Sequence, residues 1–479
     1  MNLGRTTPLC NTDTGEAWRD AGKIVKGGYR MCVMSVRKSL ISTVWGGVFT
    51  HLIAVVLLCD FPISANANDL SVGRGSRDRE GGAVTVHATT PGNAADGTLS
   101  TSNGVVWGTG WKNRSRAIFL DAGSTAIKSA DGHTCAVLSS GIVDCWGHNR
   151  YGQLGRDTTP SDYAASPAPV DGVSGAIAVA GGLYHTCALL RVGTVQCWGD
   201  NRHGQLGHDT APYDFSTVPV PVDTLENIVA ITAGDKHTAA LRSDGMVISW
   251  GGNYHGQLGN GSTEQSGPVE AIGVQATSLM SRYDQTFALL SDNTLMSWGD
   301  NQSSQLGYQT PTGQAFSTTP QAVEGIYDVL SVAVGDHHTC VVVVGGMIQC
   351  WGGNFEGQLG DGTQNNSTTP VFVKNISTAV AVSSGDLHTC ALLSNDSLQC
   401  WGRNAEGQLG DGGLEKNAVE PVTVLGVSRI KTVVGGGLHT CALRMEGGVQ
   451  CWGENATGQL GDGTTNSSPI AVSVILGTT

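Results

Sequence analysis

The ten residues from Trp146 to Gly155 read WGHNRYGQLG, and altered copies of this segment recur along the rest of the chain. The copies begin at Trp146, Trp198, Trp250, Trp298, Trp351, Trp401 and Trp452, at intervals of 48 to 53 residues. A period of about 50 is typical of propellers and solenoids, in which each repeat is one supersecondary unit. The 479-residue chain is therefore predicted to contain one toroidal domain, not the three domains that its length suggests.

Each repeat carries the signals of four short strands. An apolar run comes first, followed in five repeats by a Gly-x-x-His-Thr motif, as in Gly385 to Thr389, and then by two strand-like runs. A strand that begins near a proline comes after the Gly-Gln-Leu-Gly loop. The composition fits a β protein with many tight turns, because 68 residues are glycine and only 14% are charged.

The charge balance disfavours nucleic acid as a partner. The formal net charge is −13, and the first 67 residues hold 7 Lys/Arg against 4 Asp/Glu. The remaining chain therefore carries 20 − 36 = −16. Such an acidic surface repels phosphate backbones.

The first 67 residues resemble a secretory signal. Basic residues ending in Arg37 and Lys38 precede an apolar stretch over residues 40–58, and Ala65-Asn66-Ala67 has the form of a signal-peptidase site. An uncleaved signal-anchor is the alternative, and a buried core helix is a third reading. Export predicts an extracellular or cell-surface protein, in contact with a membrane only if residues 40–58 remain as an anchor.

Five repeats contain two cysteines separated by nine residues, and we predict a disulfide within each. The pairs are Cys135/Cys145, Cys187/Cys197, Cys340/Cys350, Cys390/Cys400 and Cys441/Cys451. The other two repeats change both positions together, to Ala239/Ser249 and Phe287/Ser297. If each pair faces across an antiparallel hairpin, the Cα atoms lie ~4.5–5.5 Å apart, which is within the disulfide range.

The hairpin register also predicts the loop. A three-residue loop remains between the facing positions, and its third residue must be left-handed. The third residues are Gly141, Gly193, Gly245, Asn293, Gly346, Asp396 and Gly447. All of these residue types tolerate that conformation.

Zinc bound by these cysteines and the nearby histidines is the alternative. The third repeat argues against it, because His237 is kept where both cysteines are lost. An exported chain favours disulfides. Cys10, Cys32 and Cys59 precede the predicted cleavage site, which leaves an even ten.

The repeat, with its His-Thr-Cys-Ala-Leu, Cys-Trp-Gly-x-Asn and Gly-Gln-Leu-Gly elements, resembles that of the regulator of chromosome condensation. The similarity is greatest to the cysteine-bearing variety of exported proteins. It implies an all-β, seven-bladed β-propeller over residues 119–479, with residues 68–118 as a linker. Gly104 to Gly108 resembles a strand end that could close the ring with residues 469–474.

The resemblance leaves the activity open. The nuclear founding member of the family exchanges guanine nucleotide on the small GTPase Ran, and none of its catalytic residues can be matched to positions here. Some secreted bacterial members bind protein targets through one face of the ring. We expect a non-catalytic, monomeric scaffold without cofactor or metal that binds a protein or a glycan. Nucleotide exchange on a Ran-like GTPase is the alternative.

Two sets of residues are candidates for function. Six repeats have a His before the Thr, for which a structural hydrogen bond is favoured over a metal or pH-sensing ring. The loop after each repeat Trp varies, and its first three copies form an aromatic and cationic arc. This predicted partner-binding set is Arg150, Tyr151, Arg202, His203, Tyr254 and His255. Further aromatic residues lie in the same loops, Tyr308 among them, and the repeat tryptophans are expected to pack between blades.

Overall fold

The computed structural model describes residues 84–85, 98–102, 105–108, 124–208, 214–311, 314–414 and 417–476. The chain divides into two units, and the unit formed by residues 1–74 and 87–96 lies outside the described residues. The predicted signal or anchor also lies outside them. All strands that the structure describes belong to the other unit.

Seven antiparallel four-stranded sheets follow one another along the chain, which confirms the all-β, seven-bladed propeller. Blade one comprises β4 (Ser124–Ser129), β5 (His133–Leu138), β6 (Val143–His148) and β7 (Tyr163–Pro169). Blade two comprises β8 (Ala176–Gly181), β9 (His185–Leu190), β10 (Val195–Asp200) and β11 (Phe215–Pro221). Blade three comprises β12 (Ile228–Ala233), β13 (His237–Arg242), β14 (Val247–Gly251) and β15 (Ser266–Glu270). Blade four comprises β16 (Ser278–Arg282), β17 (Gln285–Leu289), β18 (Leu295–Asp300) and β19 (Phe316–Ala322). Blade five comprises β20 (Val329–Val334), β21 (His338–Val343), β22 (Ile348–Gly352) and β23 (Ser367–Phe372). Blade six comprises β24 (Ala379–Ser384), β25 (His388–Leu393), β26 (Leu398–Gly402) and β27 (Ala418–Thr423). Blade seven comprises β28 (Ile430–Gly435), β29 (His439–Arg444), β30 (Val449–Gly453) and β31 (Ser468–Ser473).

The expected ring-closing strand is not part of the ring. Strand β3 (Val105–Gly108) pairs with β2 (Thr98–Ser102), which pairs with β1 (Val84–Thr85) in a separate sheet. Blade seven is complete without β3, because β31 already pairs with β30. Each blade is therefore built from four consecutive strands, and the ring closes through contacts between blades seven and one.

The repeat tryptophans make these contacts between blades. All seven are fully buried, and each indole N–H donates to the backbone carbonyl of the Gly-Gln-Leu-Gly glutamine in the preceding blade. The same bond joins Trp146 of blade one to Gln459 of blade seven at 2.9 Å. The seam that closes the ring is thus chemically the same as the other six.

The paired cysteines face each other across the hairpins, and all five predicted disulfides are present. The bridges are Cys135–Cys145, Cys187–Cys197, Cys340–Cys350, Cys390–Cys400 and Cys441–Cys451. Their Cα atoms lie 4.0–4.2 Å apart. The strands therefore approach somewhat more closely than the ~4.5–5.5 Å that facing residues usually show. The prediction was right about the pairing and wrong about this spacing.

The hairpin loops have the predicted conformation. The third loop residue has a positive φ in all seven blades, including Asn293 at 63° and Asp396 at 62°. Blades three and four, which lack the cysteines, place Ala239/Ser249 and Phe287/Ser297 in the same register. The hairpin geometry is therefore a property of the repeat and does not require the disulfide.

The outermost strand of every blade contains proline, which protects the free edge of the sheet. Proline cannot donate a ladder hydrogen bond and therefore discourages pairing with another chain. The innermost strands β4, β8, β12, β16, β20, β24 and β28 surround a central channel. Hydroxyl groups connect some of them, because Thr232 Oγ1 accepts the N–H of Ser281 at 2.8 Å.

Candidate partner-binding face

The two ends of the ring differ in their loops. One end, here called the loop face, carries the turns between the first and second strands and the long loops between the third and fourth strands. The other end, the hairpin face, carries the three-residue hairpin loops. All six residues of the predicted partner-binding set lie on the loop face. The fold therefore brings them to one surface, while their role in binding stays a prediction.

Three side chains from blades one and two form a preorganised cluster on the loop face. The rings of Tyr151 and Tyr184 lie 4.8 Å apart, and the Arg202 guanidinium lies 4.6 Å from the centre of the Tyr151 ring. The buried carboxylate of Asp200 fixes Arg202 through a 2.7 Å contact to Nε. Arg150 approaches the same ring at 5.9 Å. These contacts hold an aromatic and cationic surface in one conformation, with Arg202 still 44% exposed.

The arc continues into blade three. His203 meets the Tyr254 ring edge-on at 5.8 Å, and Tyr254 remains 59% exposed. His255 Nδ1 lies 2.9 Å from the Asp284 carboxylate and its ring contacts Phe316. Tyr254 is therefore the exposed end of the arc, whereas His255 is already engaged by its neighbour.

The sequence did not indicate Tyr184, because this residue lies in a different turn from the loops that follow the tryptophans. Tyr184 occupies the variable position just before the repeat His, between the first two strands of its blade. Tyr308, in contrast, was expected to add to the aromatic loops but packs against the core. Its hydroxyl donates to the carbonyl of Ser297 at 2.9 Å. Only the fold shows which aromatic positions share a surface.

The disulfide cysteines are structural and contribute nothing to this surface. The second cysteines of three hairpins, Cys197, Cys350 and Cys451, are each 0% exposed. They pack between blades, since Cys197 lies in one cluster with Trp250, Cys350 with Trp401 and Cys451 with Trp146. The bridges therefore stabilise the ring and do not belong to the partner-binding set.

The repeat histidines are also structural. Each donates from Nε2 to the Thr hydroxyl of the next blade, as His388 does to Thr440 at 2.8 Å. That hydroxyl donates to the carbonyl of Gln408 at 2.9 Å, so it must accept from the imidazole. Burial lowers the pKa of His388 well below its ordinary value and that of His439 to about 3. Across the described residues there is no group of three or more His, Cys, Asp or Glu side chains that could hold a metal ion.

The channel mouth at the loop face holds a charge cluster that the sequence reasoning did not anticipate. Arg282 contacts the carboxylates of Asp336 and Asp386 and donates to the carbonyl of Gly435 at 3.3 Å. These partners belong to blades five, six and seven. Asp131 and Asp235 line the same mouth. One guanidinium thus lies among four carboxyl groups.

A sequence signal for this cluster existed. Arg282 stands where five repeats have Gly and one has Ala, and Gln285 replaces the repeat His in the same unit. The two changes belong together, because the His ring normally packs against that glycine. A Cβ at Gly385 would lie only 2.0 Å from Cε1 of His388. Loss of the His in blade four makes room for a long side chain.

Burial and mutual repulsion control the ionisation of this mouth. Burial, followed by the charge of Asp386, raises the pKa of Asp131 and of Asp235 to about 7. Burial alone would lower the pKa of Arg282, but the carboxylates of Asp386 and Asp336 raise it overall. Arg282 therefore stays charged.

Comparison with known proteins identifies the repeat. The model of the regulator of chromosome condensation (RCC1) repeat matches residues 140–189, 193–241, 244–278, 292–342, 346–392 and 396–443. The chain belongs to the RCC1 repeat family. A second RCC1 repeat model matches six segments between residues 125 and 459. The match covers most of the propeller and confirms the resemblance that the sequence motifs suggested.

Relatives in this family differ widely in size and role. The ultraviolet-B receptor UVR8 of Arabidopsis thaliana is 31% identical over 354 residues, which are 72% of this chain and 69% of that protein. The E3 ubiquitin-protein ligase HERC2 of Homo sapiens is 27% identical over 253 residues, or 50% of this chain. The chain spans only 5% of HERC2. RCC1 repeats thus occur in proteins of very different activity.

Solved structures support the same fold. Prp20p of Saccharomyces cerevisiae superposes with a TM-score of 0.63 at 21% identity, covering 74% of this chain and 90% of that one. Human WBSCR16 gives a TM-score of 0.61 at 23% identity, covering 68% of this chain and 88% of that one.

The part of this RCC1-repeat chain that the structure describes contains no helix with the length and hydropathy of a membrane span.

Proposed function

We propose that this RCC1-repeat chain is an exported scaffold that binds a partner protein, without catalysis, through the loop face of blades one to three. The observation that carries the proposal is the preorganised cluster of Tyr151, Tyr184 and Arg202. Tyrosine and arginine are enriched at the energetic centres of protein interfaces, and side chains already held in place lose little entropy on binding. Exposed Tyr254 extends this surface.

The disulfides support an oxidising location. All ten paired cysteines are at most 2% exposed and form five bridges. Such bridges persist in secreted and cell-surface proteins and are rare in the cytosol. Export or surface anchoring through the first 67 residues agrees with them.

The relatives favour a protein over a glycan as partner. The Prp20p structure is described with its binding to Gsp1p and histones, and another structure holds Kap60 bound to yeast RCC1. Guanine-nucleotide exchange on a Ran-like GTPase is the second candidate, favoured by the shared fold of Prp20p. Oxidised cysteines and an acidic chain favour the exported scaffold.

The test is capture of partners by oxidised protein from the medium of its native cells, with cross-linking to locate the contact. Tyr151→Ala, Arg202→Ala and Tyr254→Ala together should reduce capture of the wild-type partner at least ~10-fold, because interface anchors are lost. The matched control replaces Tyr327, Val344 and Met347, which are exposed on the hairpin face. Equal loss in both variants, or cross-links confined to the hairpin face, would contradict the proposal.

The alternative function has its own assay. The assay follows release of labelled GDP from a Ran-type GTPase. If the oxidised chain accelerates this release, nucleotide exchange replaces the scaffold as the proposed function. Non-reducing peptide mapping of the native protein checks the location, since free cysteines with Met1 retained would contradict export.

A further inference from the structure

Two neighbouring cavities in the central channel share Lys128 and Arg282 but differ in their carboxylates. The larger has a volume of about 170 Å³, and its charged lining residues are Lys128 and Arg282. No carboxylate lines it among the residues that the structure describes. The smaller, of about 30 Å³, is the loop-face mouth, where Lys128 and Arg282 line the wall together with the four aspartates. The two cations thus lie between the acidic mouth and a larger cavity that no described carboxylate lines.

The two cations differ in their partners. Arg282 is neutralised by Asp336 and Asp386, as described above. Lys128 has no hydrogen bond or ion pair with any described residue, and the charge that acts on it is that of Arg282. Burial, followed by Arg282, lowers the pKa of Lys128 to about 8. A partly buried ammonium that lies near another cation and has no ion-pair partner is unfavourable, and a bound anion would relieve that cost.

Two hydroxyl groups in the same cavity can also donate. Thr232 Oγ1 accepts the N–H of Ser281, and Ser383 Oγ accepts the N–H of Gly435 at 3.0 Å. Each hydroxyl hydrogen is left without an acceptor in the described part of the chain. Thr232, Ser383 and Lys128 belong to blades three, six and one, so donors line the cavity from three sides.

We propose that the larger cavity binds a small monovalent carboxylate, with Lys128 as its counter-ion and the hydroxyls of Thr232 and Ser383 as further donors. The remaining wall combines apolar side chains such as Met280 and Val382 with the polar groups of Ser281 and Arg282. The aspartates of the neighbouring mouth repel a dianion such as sulfate more strongly than a monoanion, and the small volume favours a short carboxylate such as acetate. The site does not depend on the partner-binding function of the loop face.

Lys128→Met is a mild test variant, because blade four already has Met280 at the equivalent position. Lys128 pairs across the sheet with Cys135, and Met280 pairs with Phe287, which occupies in blade four the position of Cys135 in blade one. Lys374→Met is the matched control, since Lys374 is exposed on the outside of the ring and pairs with Glu420. Circular dichroism confirms that each variant is folded.

Sodium acetate is exchanged for sodium sulfate at constant ionic strength. The midpoint of thermal unfolding of wild type and of the control should rise with the acetate concentration and reach a plateau. The increase should be absent in Lys128→Met and smaller in Thr232→Val combined with Ser383→Ala. Crystals soaked in bromide should show an anomalous peak beside the Lys128 ammonium in wild type only. An equal acetate effect in Lys128→Met, or a wild-type channel without a bromide peak, would overturn the site.

Discussion

At the scale of single residues, the buried glutamine of each Gly-Gln-Leu-Gly loop shows how the repeats differ. Its side-chain oxygen accepts a loop N–H, and its Nε2 needs an acceptor. Asp200 and Asp300 accept from Gln205 and Gln305 at 2.8 Å. In blade five the corresponding acceptor position is Gly353, and Nε2 of Gln358 is buried without a partner in the described structure. A buried unpaired donor costs about 1–3 kcal/mol.

Gly353→Asp is therefore expected to raise the free energy of unfolding by about 1 kcal/mol, because it supplies the acceptor that Asp200 provides in blade two. The backbone of Gly353 has no positive φ, and an added Cβ would lie 3.1 Å from Cβ and 3.2 Å from the carbonyl oxygen of His337. The crowding at Gly252 is nearly the same, with 3.2 and 3.3 Å to the same atoms of Lys236. Gly252→Asp in blade three is the control, since Gln257 already donates to Asp284 at 2.8 Å. Denaturant unfolding measures both. A similar gain at Gly252 would show that the missing acceptor is not the cause.

At the scale of the element, each hairpin has either a disulfide or two packed side chains at the same pair of facing positions. The Cys pairs are buried in the clusters between neighbouring blades, where Cys390 and Cys400 pack with Trp452. Blade three fills the same places with Ala239 and Ser249. The hairpin fold is therefore compatible with either solution, and the disulfide adds stability without determining the topology.

Replacing Cys390 by Ala and Cys400 by Ser gives blade six the solution of blade three. The free energy of unfolding should fall by up to about 3 kcal/mol, because the bridge closes a loop of about eleven residues in the unfolded chain. Reversible denaturant unfolding under oxidising conditions measures the loss. Under full reduction the variant and wild type should have nearly equal stability. A gap that persists after reduction would indicate a packing defect.

At the scale of the whole molecule, the six repeat histidines make the ring sensitive to acid. Burial lowers the pKa of His133, His185 and His338 to about 3 and that of His237 to about 4. Unfolded histidine has a pKa of about 6.5, so the unfolded chain binds protons that the folded chain does not. The stability that the neutral, buried histidines contribute is fully present above pH ~6.5 and is lost as the pH falls. Asp131, Asp235 and Asp336 act in the opposite direction, because burial and the charge of Asp386 raise their pKa values and so favour the folded state at lower pH.

The six histidines outnumber these aspartates, so the free energy of unfolding should decrease from about pH 6.5 to about pH 5. Denaturant unfolding measures the free energy of unfolding across this range. The slope of this free energy against pH gives the proton uptake on unfolding, because each proton contributes about 1.4 kcal/mol per pH unit. His388→Gln, which copies Gln285 of blade four, should reduce the uptake by about one proton. A flat profile over this range would contradict the neutral, buried histidines.

The amino-acid sequence by itself determined the number of blades, the four strands in each and the five disulfides. These features depend on contacts within one repeat, and seven copies show the same spacing. The motif gives the period of the repeat but not where a blade begins, and Val105–Gly108, which could have completed a blade, pairs instead in a separate sheet.

Only the tertiary structure decided which residues meet at the axis and on the loop face. Arg282 and Asp386 are 104 residues apart in the chain, and Tyr151 and Tyr184 belong to different blades. Closing the ring brings one position from every blade to the channel. A single exceptional residue such as Arg282 then contacts several repeats at once. Its effect depends on neighbours supplied by ring geometry, which local sequence does not encode.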